Sequence, residues 1–345
     1  MMKKLLATSA LISTVAFTNV SLAQTTITGS LDLTLRNTSN SVNGGAASET
    51  TMGRETQLNI ANKGKLNNGL DYAAGFSLEF DGGQAAAESV GTTSNENIYI
   101  NITSGGTTLH VGVDHIQNSG NDLLNSVGDM VDELAAVNGA IIDNVGFRSP
   151  KEDIGAGIVQ NFGNGITVSG LYVPNTTNIG TGNNAGSATS TTGTNSSYEL
   201  GIRGVNVANS GVSFDLWKNE VEKVTPATVR NQEGLGYSLN YNQGPFGVGA
   251  ARYKNERDTE ATEVKTTMAH ATYAVNKNLS ASLVYAKSDD TAAASTADEK
   301  IKTLMVGYNF GPVGLLVTAS QIENVGARTA NGDVDALGIS LNTKF

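Results

Sequence analysis

The feature that most constrains this chain is an apolar/polar alternation with a period of two, which starts near residue 26 and recurs to the C-terminus. Successive side chains of a β-strand point to opposite faces, so such a period gives each face its own chemistry. In 26–36, Ile27, Leu31, Leu33 and Leu35 share one face, and Thr28, Ser30, Asp32, Thr34 and Arg36 share the other. In 69–80, Leu70, Tyr72, Phe76, Leu78 and Phe80 oppose Asp71, Ser77 and Glu79. The pattern returns in 97–104, 107–114, 197–205, 234–242 and 278–287, carried for example by Ile98, Ile100 and Ile102, or by Leu235, Tyr237, Leu239 and Tyr241.

Two kinds of connector separate these segments. Short ones include NFGNG after Gln160, NQGPF after Tyr241 and NKN after Val275. Long ones, 37–50, 81–95, 174–196 and 289–299, are rich in Thr, Ser, Asn, Gly and Ala. The stretch 174–196 has too few apolar residues for a core of its own and reads as a solvated loop. Short turns alternating with long loops describe an up-and-down meander whose two ends meet different surroundings. Counting segments gives about 16 antiparallel strands, from 26–36 to 333–345, with 144–160 interrupted by Pro150.

A soluble sheet of this size needs a core. Here the apolar residues of each strand alternate with Gly, Ser and Thr, only 16% of residues are charged, and the mean hydropathy is −0.16. A barrel reconciles these facts, because its apolar face meets lipid and its polar face meets water. The expected fold is therefore all-β: a transmembrane antiparallel up-and-down β-barrel. No apolar run reaches the roughly 20 residues of a membrane-spanning helix. There is no cysteine, so disulfides contribute nothing to stability.

Residues 1–23 read as a secretory signal peptide: Lys3 and Lys4, an apolar stretch from Leu5 to about Phe17, then Ser21-Leu22-Ala23. Cleavage after Ala23 leaves Gln24 at the start of a barrel domain, 24–345. The net charge of −10 argues against nucleic-acid partners, since phosphates would find too little positive charge.

The last strand, GDVDALGISLNTKF, sets Leu337, Ile339, Leu341, Thr343 and the terminal Phe345 on one face. It resembles the terminal strand that outer-membrane barrels present to the barrel assembly machinery. GRETQLNIANKGKLNNGLDYAAGFSLEF resembles the second and third strands of Gram-negative trimeric porins, and NVGFRSP (144–150) is similar to the strand after their pore-narrowing loop. The Asn/Thr/Ser-rich loops are similar to those of proteobacterial porins, including alphaproteobacterial ones. The resemblance implies a water-filled channel in the bacterial outer membrane for passive diffusion of small hydrophilic solutes and ions. It implies a homotrimer in contact with outer-membrane lipid and lipopolysaccharide.

It also gives 116–143 a role. Leu123, Val127, Met130, Val131 and Leu134 fall on one side of a helix, and Asp122, Asn125, Asp129, Asp132 and Glu133 largely on the other. In the family this position holds a constriction loop folded into the lumen. Asp122, Asp129, Asp132 and Glu133 are then the acidic side of the eyelet; a surface helix with a solvated acidic face is the alternative. Strand parity points Arg36, Arg148 and Arg203 inward as basic wall residues. Arg54 fits either face, and Gln57 stands where family members often carry an arginine.

Catalysis is not expected. The three histidines, His110, His115 and His270, form no recognisable nucleophile–base set, and CxxC and HExxH are absent. No cofactor is expected either, and the acidic loops offer Ca²⁺ weak binding at most. A plugged barrel serving as surface scaffold or adhesin, and a substrate-specific porin, are the competing functions. The single tryptophan, Trp217, speaks against an aromatic track for sugars.

Overall fold

The computed structural model describes residues 24–39, 48–81, 93–113, 154–174, 193–224, 232–256, 263–291, 296–325 and 332–345. They form sixteen strands: β1 (Gln24–Ser39), β2 (Ser48–Lys65), β3 (Asp71–Asp81), β4 (Thr93–Ser104), β5 (Thr107–Val113), β6 (Ile154–Gly163), β7 (Ile166–Val173), β8 (Gly193–Gly204), β9 (Val212–Val224), β10 (Gln232–Gln243), β11 (Phe246–Glu256), β12 (Glu263–Ala274), β13 (Leu279–Asp290), β14 (Glu299–Asn309), β15 (Val313–Glu323) and β16 (Val334–Lys344). Each pairs with its sequence neighbour, and β16 pairs antiparallel with β1, so the sheet is a closed barrel. The strands follow the alternation in order and number. The sixth begins at Ile154; residues 144–153, with Pro150, lie outside the described residues, as does the signal peptide with Ala23.

Directly opposed residues of an antiparallel pair share a face, so the register carries each strand's two faces around the barrel. Leu33 opposes Leu341 on β16, and Leu283 opposes Leu304 on β14. These residues, with Leu35, Ile100, Leu109, Leu200 and Leu239, are 39–61% exposed. Leucines bare to this extent on every side make sense only where the surrounding medium is hydrocarbon. Aromatic residues edge this band. Phe162, Tyr241, Phe246, Tyr273, Tyr308, Phe310 and Phe345 stand toward the short turns, and Tyr172, Tyr237 and Tyr285 toward the long loops. Two such girdles mark the two membrane–water interfaces. Within the turn-side girdle, Phe246 and Tyr273 have ring centroids 4.9 Å apart, and Tyr308 and Phe310 4.5 Å.

The turns follow their residues. Asn164-Gly165 joins β6 to β7 with both residues at positive φ (52° and 81°), the geometry that a tight hairpin demands and that Asn-Gly supplies. Between β12 and β13, the Asn276 side chain accepts hydrogen bonds from the backbone N–H of Asn278 (2.8 Å) and Leu279 (3.0 Å). Such an Asx turn fixes the reversal without glycine.

Phe345 completes the seam between β1 and β16. Phe345 exchanges two backbone hydrogen bonds with Gly29, of 2.8 and 3.0 Å, and its ring lies where a Cβ at position 29 would stand. Glycine there leaves room for the ring at the seam. Deleting Phe345 removes both bonds, a loss of about 1–3 kcal/mol. We expect slower insertion into vesicles and a lower melting temperature for the folded, fast-migrating band in unheated electrophoresis; insertion at the wild-type rate would refute this role of Phe345. Leu283→Arg, on the lipid face, should cost about 2–4 kcal/mol in denaturant titrations of the vesicle-inserted protein, and Gln57→Arg, on the lumen face, far less.

Candidate channel wall

The second face of every strand lines the lumen. Across it run hydroxyl and amide pairs between neighbouring strands: Thr103–Thr108 (2.9 Å), Thr266–Ser288 (2.8 Å) and Thr303–Ser320 (2.9 Å). His110 Nδ1 donates to Asn101 Oδ1 at 2.7 Å, and His270 Nε2 to Asn240 Oδ1 at 2.6 Å. These histidines belong to the wall's hydrogen-bond network. Among the described residues, no group of three or more His, Asp or Glu is arranged to hold a metal ion.

The wall is not uniform. On β9–β16 its loop-side half sets apolar side chains among hydroxyls: Trp217, Tyr253, Met268, Ala286, Ile301 and Ile322 face inward and are 0–5% exposed, beside the equally buried Thr266, Ser288 and Thr303. Tyr253 Oη donates to Met268 Sδ at 2.7 Å inside this patch. Further toward the turns the same strands carry Asn240, Ser282 and Ser340, with Met305 opposite Ser282 and Leu316 opposite Ser340. On β1–β4 the inward residues are polar and more open: Asp32, Thr34, Arg36, Gln57, Asn59, Glu79 and Asn101 are half-buried and Glu55 is exposed.

The sequence-derived basic residues separate in space. Arg36 faces the lumen between Thr51 and Gly338, near the loop end of β1. Arg203 faces the lumen between Thr167 and Asp215, near the turn end of β8. They stand on nearly opposite sides of the barrel and at opposite ends of it, so they do not form one basic row. Arg54 is opposed to Leu33 and therefore points outward, while Gln57 points inward beside Ser30. Arg148 and the acidic Asp122, Asp129, Asp132 and Glu133 lie outside the described residues.

Register adds a group that sequence alone does not assemble. Asp32 on β1 is directly opposed to Glu55 on β2, and Glu79 on β3 is opposed to Gln57, one diagonal step from Glu55. Three carboxylates thus share one stretch of open lumen wall. Their polar-face positions are visible in the alternation; their adjacency needs the strand pairing.

A closed sixteen-strand barrel with a lipid-compatible exterior and a polar interior is an outer-membrane channel. The chain belongs to the Gram-negative porin family, whose model matches residues 7–327. A porin variant from Rhodobacter blastica is similar in structure, at 13% identity and a TM-score of 0.60, over 93% of this chain and 100% of that one. OmpT of Vibrio cholerae, folded in vitro and in trimer form, is similar at 13% identity and a TM-score of 0.60, over 94% and 99% of the two chains. No curated protein matches. The protein resides in the bacterial outer membrane and passes small solutes by passive diffusion; the family points to a channel rather than an enzyme.

Charge on the open wall acts on permeating ions directly. Asp32→Asn with Glu55→Gln should move the zero-current potential toward anions in a salt gradient. The shift should shrink as salt rises, because these charges are screened over roughly 8–10 Å at physiological ionic strength. An unchanged potential at low salt would show that ions do not pass this wall.

Proposed function

We propose that this porin is a general diffusion channel, narrowed by the 116–143 segment folded into its lumen, weakly cation-preferring, and assembled as a homotrimer. The observation that carries this reading is the apolar patch on the inner wall of β9–β16. Inward side chains such as Met268 (2% exposed) and Met305 (0%) would meet water in an open barrel of this width. Leaving a side chain of that kind uncovered costs about 1.5–3 kcal/mol each, so the patch calls for an apolar cover. Segment 116–143 joins β5 to β6 at their loop ends and carries Leu123, Val127, Met130, Val131 and Leu134 at helical spacing. Packed on the patch, it turns Asp122, Asp129, Asp132 and Glu133 toward the open wall of β1–β4. The conducting path then runs between two acidic surfaces, with Arg36 the main opposing charge near its loop end. A partly filled lumen favours small hydrophilic solutes by size.

The trimer is supported by an asymmetry of the outer face. On β9–β15 the outward residues near the loops are charged. On β1–β5 the outward face near the loops is sparsely charged: Met52 is 73% exposed, Asn37 and Thr50 are joined by a hydrogen bond of 2.7 Å, and Arg54 is the charge amid them. A surface with so little charge near the loops suits contact with another subunit. The homotrimeric Vibrio cholerae OmpT form is consistent with this arrangement.

Single-channel conductance in a planar bilayer separates an open porin from a plugged scaffold. Asp129→Asn with Asp132→Asn should shift the zero-current potential toward anions, and Arg36→Gln should shift it toward cations. If the loop pair has no effect while Asp32→Asn does, the segment does not line the path.

A further inference from the structure

Register gives each lumen charge a height as well as a face. Near the short turns the inward cations are Lys63, opposed to Gln24; Lys65, opposed to Asp71; Arg203, opposed to Asp215; and Lys344, opposed to Ser30. Lys277 adds a charge on the exposed turn between β12 and β13. The carboxylates at this end are Asp71, Asp215 and the terminal group of Phe345. Lys65 and Asp71 are joined at 2.6 Å and cancel, as do Arg203 and Asp215 by their direct opposition. Lys63, Lys344 and Lys277, all exposed, outweigh the terminal carboxylate. The turn-side mouth is therefore basic, in a chain whose net charge is −10.

Further from the turns the balance reverses. Among the described residues, the inward charges there are Asp32, Glu55, Glu79, Glu199, Asp290 and Glu299 against Arg36. The change of sign runs along one open wall, from Lys344 and Lys63 on either side of β1 to Asp32, Glu55 and Glu79 above them. Glu55 stands on the same face of β2 as Lys63, and the eight residues between them span roughly 26 Å of strand. At the tilt usual in such barrels that is about 20 Å of height. At about 0.1 M salt a charge is screened over about 10 Å, so the basic and acidic zones act on the path separately.

We infer that this lumen is electrically bipolar and conducts unequally in its two directions, passing more current when the loop side is positive. With that polarity, cations enter through the acidic zone and anions through the basic zone, each across the charge that attracts it. Both accumulate where the zones meet, and conductance rises. With the polarity reversed, each ion leaves through the zone that attracts it and is resupplied through the zone that repels it. The junction is then depleted, and conductance falls. The inference rests on ions passing the open wall of β1–β3. It goes beyond the cation preference proposed above, because a uniformly acidic pore prefers cations equally in both directions.

The test is the current–voltage curve of single channels of the full-length protein in a planar bilayer, with folding verified by heat-sensitive electrophoretic mobility. The chain has no cysteine, so Thr291→Cys, at the exposed loop end of β13, supplies an orientation mark in every protein tested. A thiol-reactive polyethylene glycol too large to cross the pore labels it from the loop compartment alone. In about 0.1 M KCl, the current with the loop side positive should exceed that at the opposite polarity. In about 1 M KCl, where screening falls to about 3 Å, the two should converge. Lys63→Gln/Lys344→Gln should bring the low-salt ratio close to unity. Lys287→Gln, which removes an outward charge opposed to Thr267, should leave the ratio as it is in wild type. Equal low-salt currents at both polarities in wild type overturn the inference, whatever the sign of the zero-current potential. So does a larger current with the loop side negative, or a ratio that survives Lys63→Gln/Lys344→Gln unchanged.

Discussion

Everything in this protein depends on one requirement: no backbone N–H or C=O within hydrocarbon can go unpaired. A sheet meets it only by having no edge, and here the last edge disappears where β1 meets β16. Once the seam is closed, backbone hydrogen bonding is complete without any central core, and the side chains are released from the duty of holding the fold together. This frees one face of each strand to suit lipid and the other to suit water. It also explains how a chain without cysteine, with sparse charge and abundant glycine, makes a large and durable structure.

The same requirement made the fold legible. Lipid on one face and water on the other is the strongest contrast a strand can meet, and it is written at a period of two, so the strands could be counted from the sequence alone. The wall chemistry was less legible, because alternation gives a residue's face but not its height or its neighbours. Arg36 and Arg203 both face inward as parity requires, yet they occupy opposite ends of the barrel. Arg54 fitted either face until the pairing with Leu33 set it outward. The adjacency of Asp32, Glu55 and Glu79 depends on register, which is a property of strand pairs and of no single segment. The residues proposed for the constriction, in 116–143, lie outside the described residues, and their helical spacing in the sequence is not the period of two that located the strands.

The inner wall divides the barrel's labour by side. β9–β16 present buried apolar side chains set among hydroxyls toward the loops, β1–β4 a more open surface with three carboxylates. The outer wall also divides, charged near the loops on β9–β15 and sparsely charged on β1–β5. A cylinder that looks symmetric in its backbone is therefore strongly polarised across its width, inside and out.

The seam itself has a consequence for biosynthesis. Its two halves come from the extreme ends of the sequence: Ser30 is opposed to Lys344, and Gly29 bonds to Phe345. No cylinder can exist until β1 and β16 are both present to pair, so the fold cannot close progressively as the strands are made. Contacts of such long sequence separation are slow to form. Until then its apolar residues stay spread at a period of two, with no run near the roughly 20 residues that a membrane-spanning helix needs.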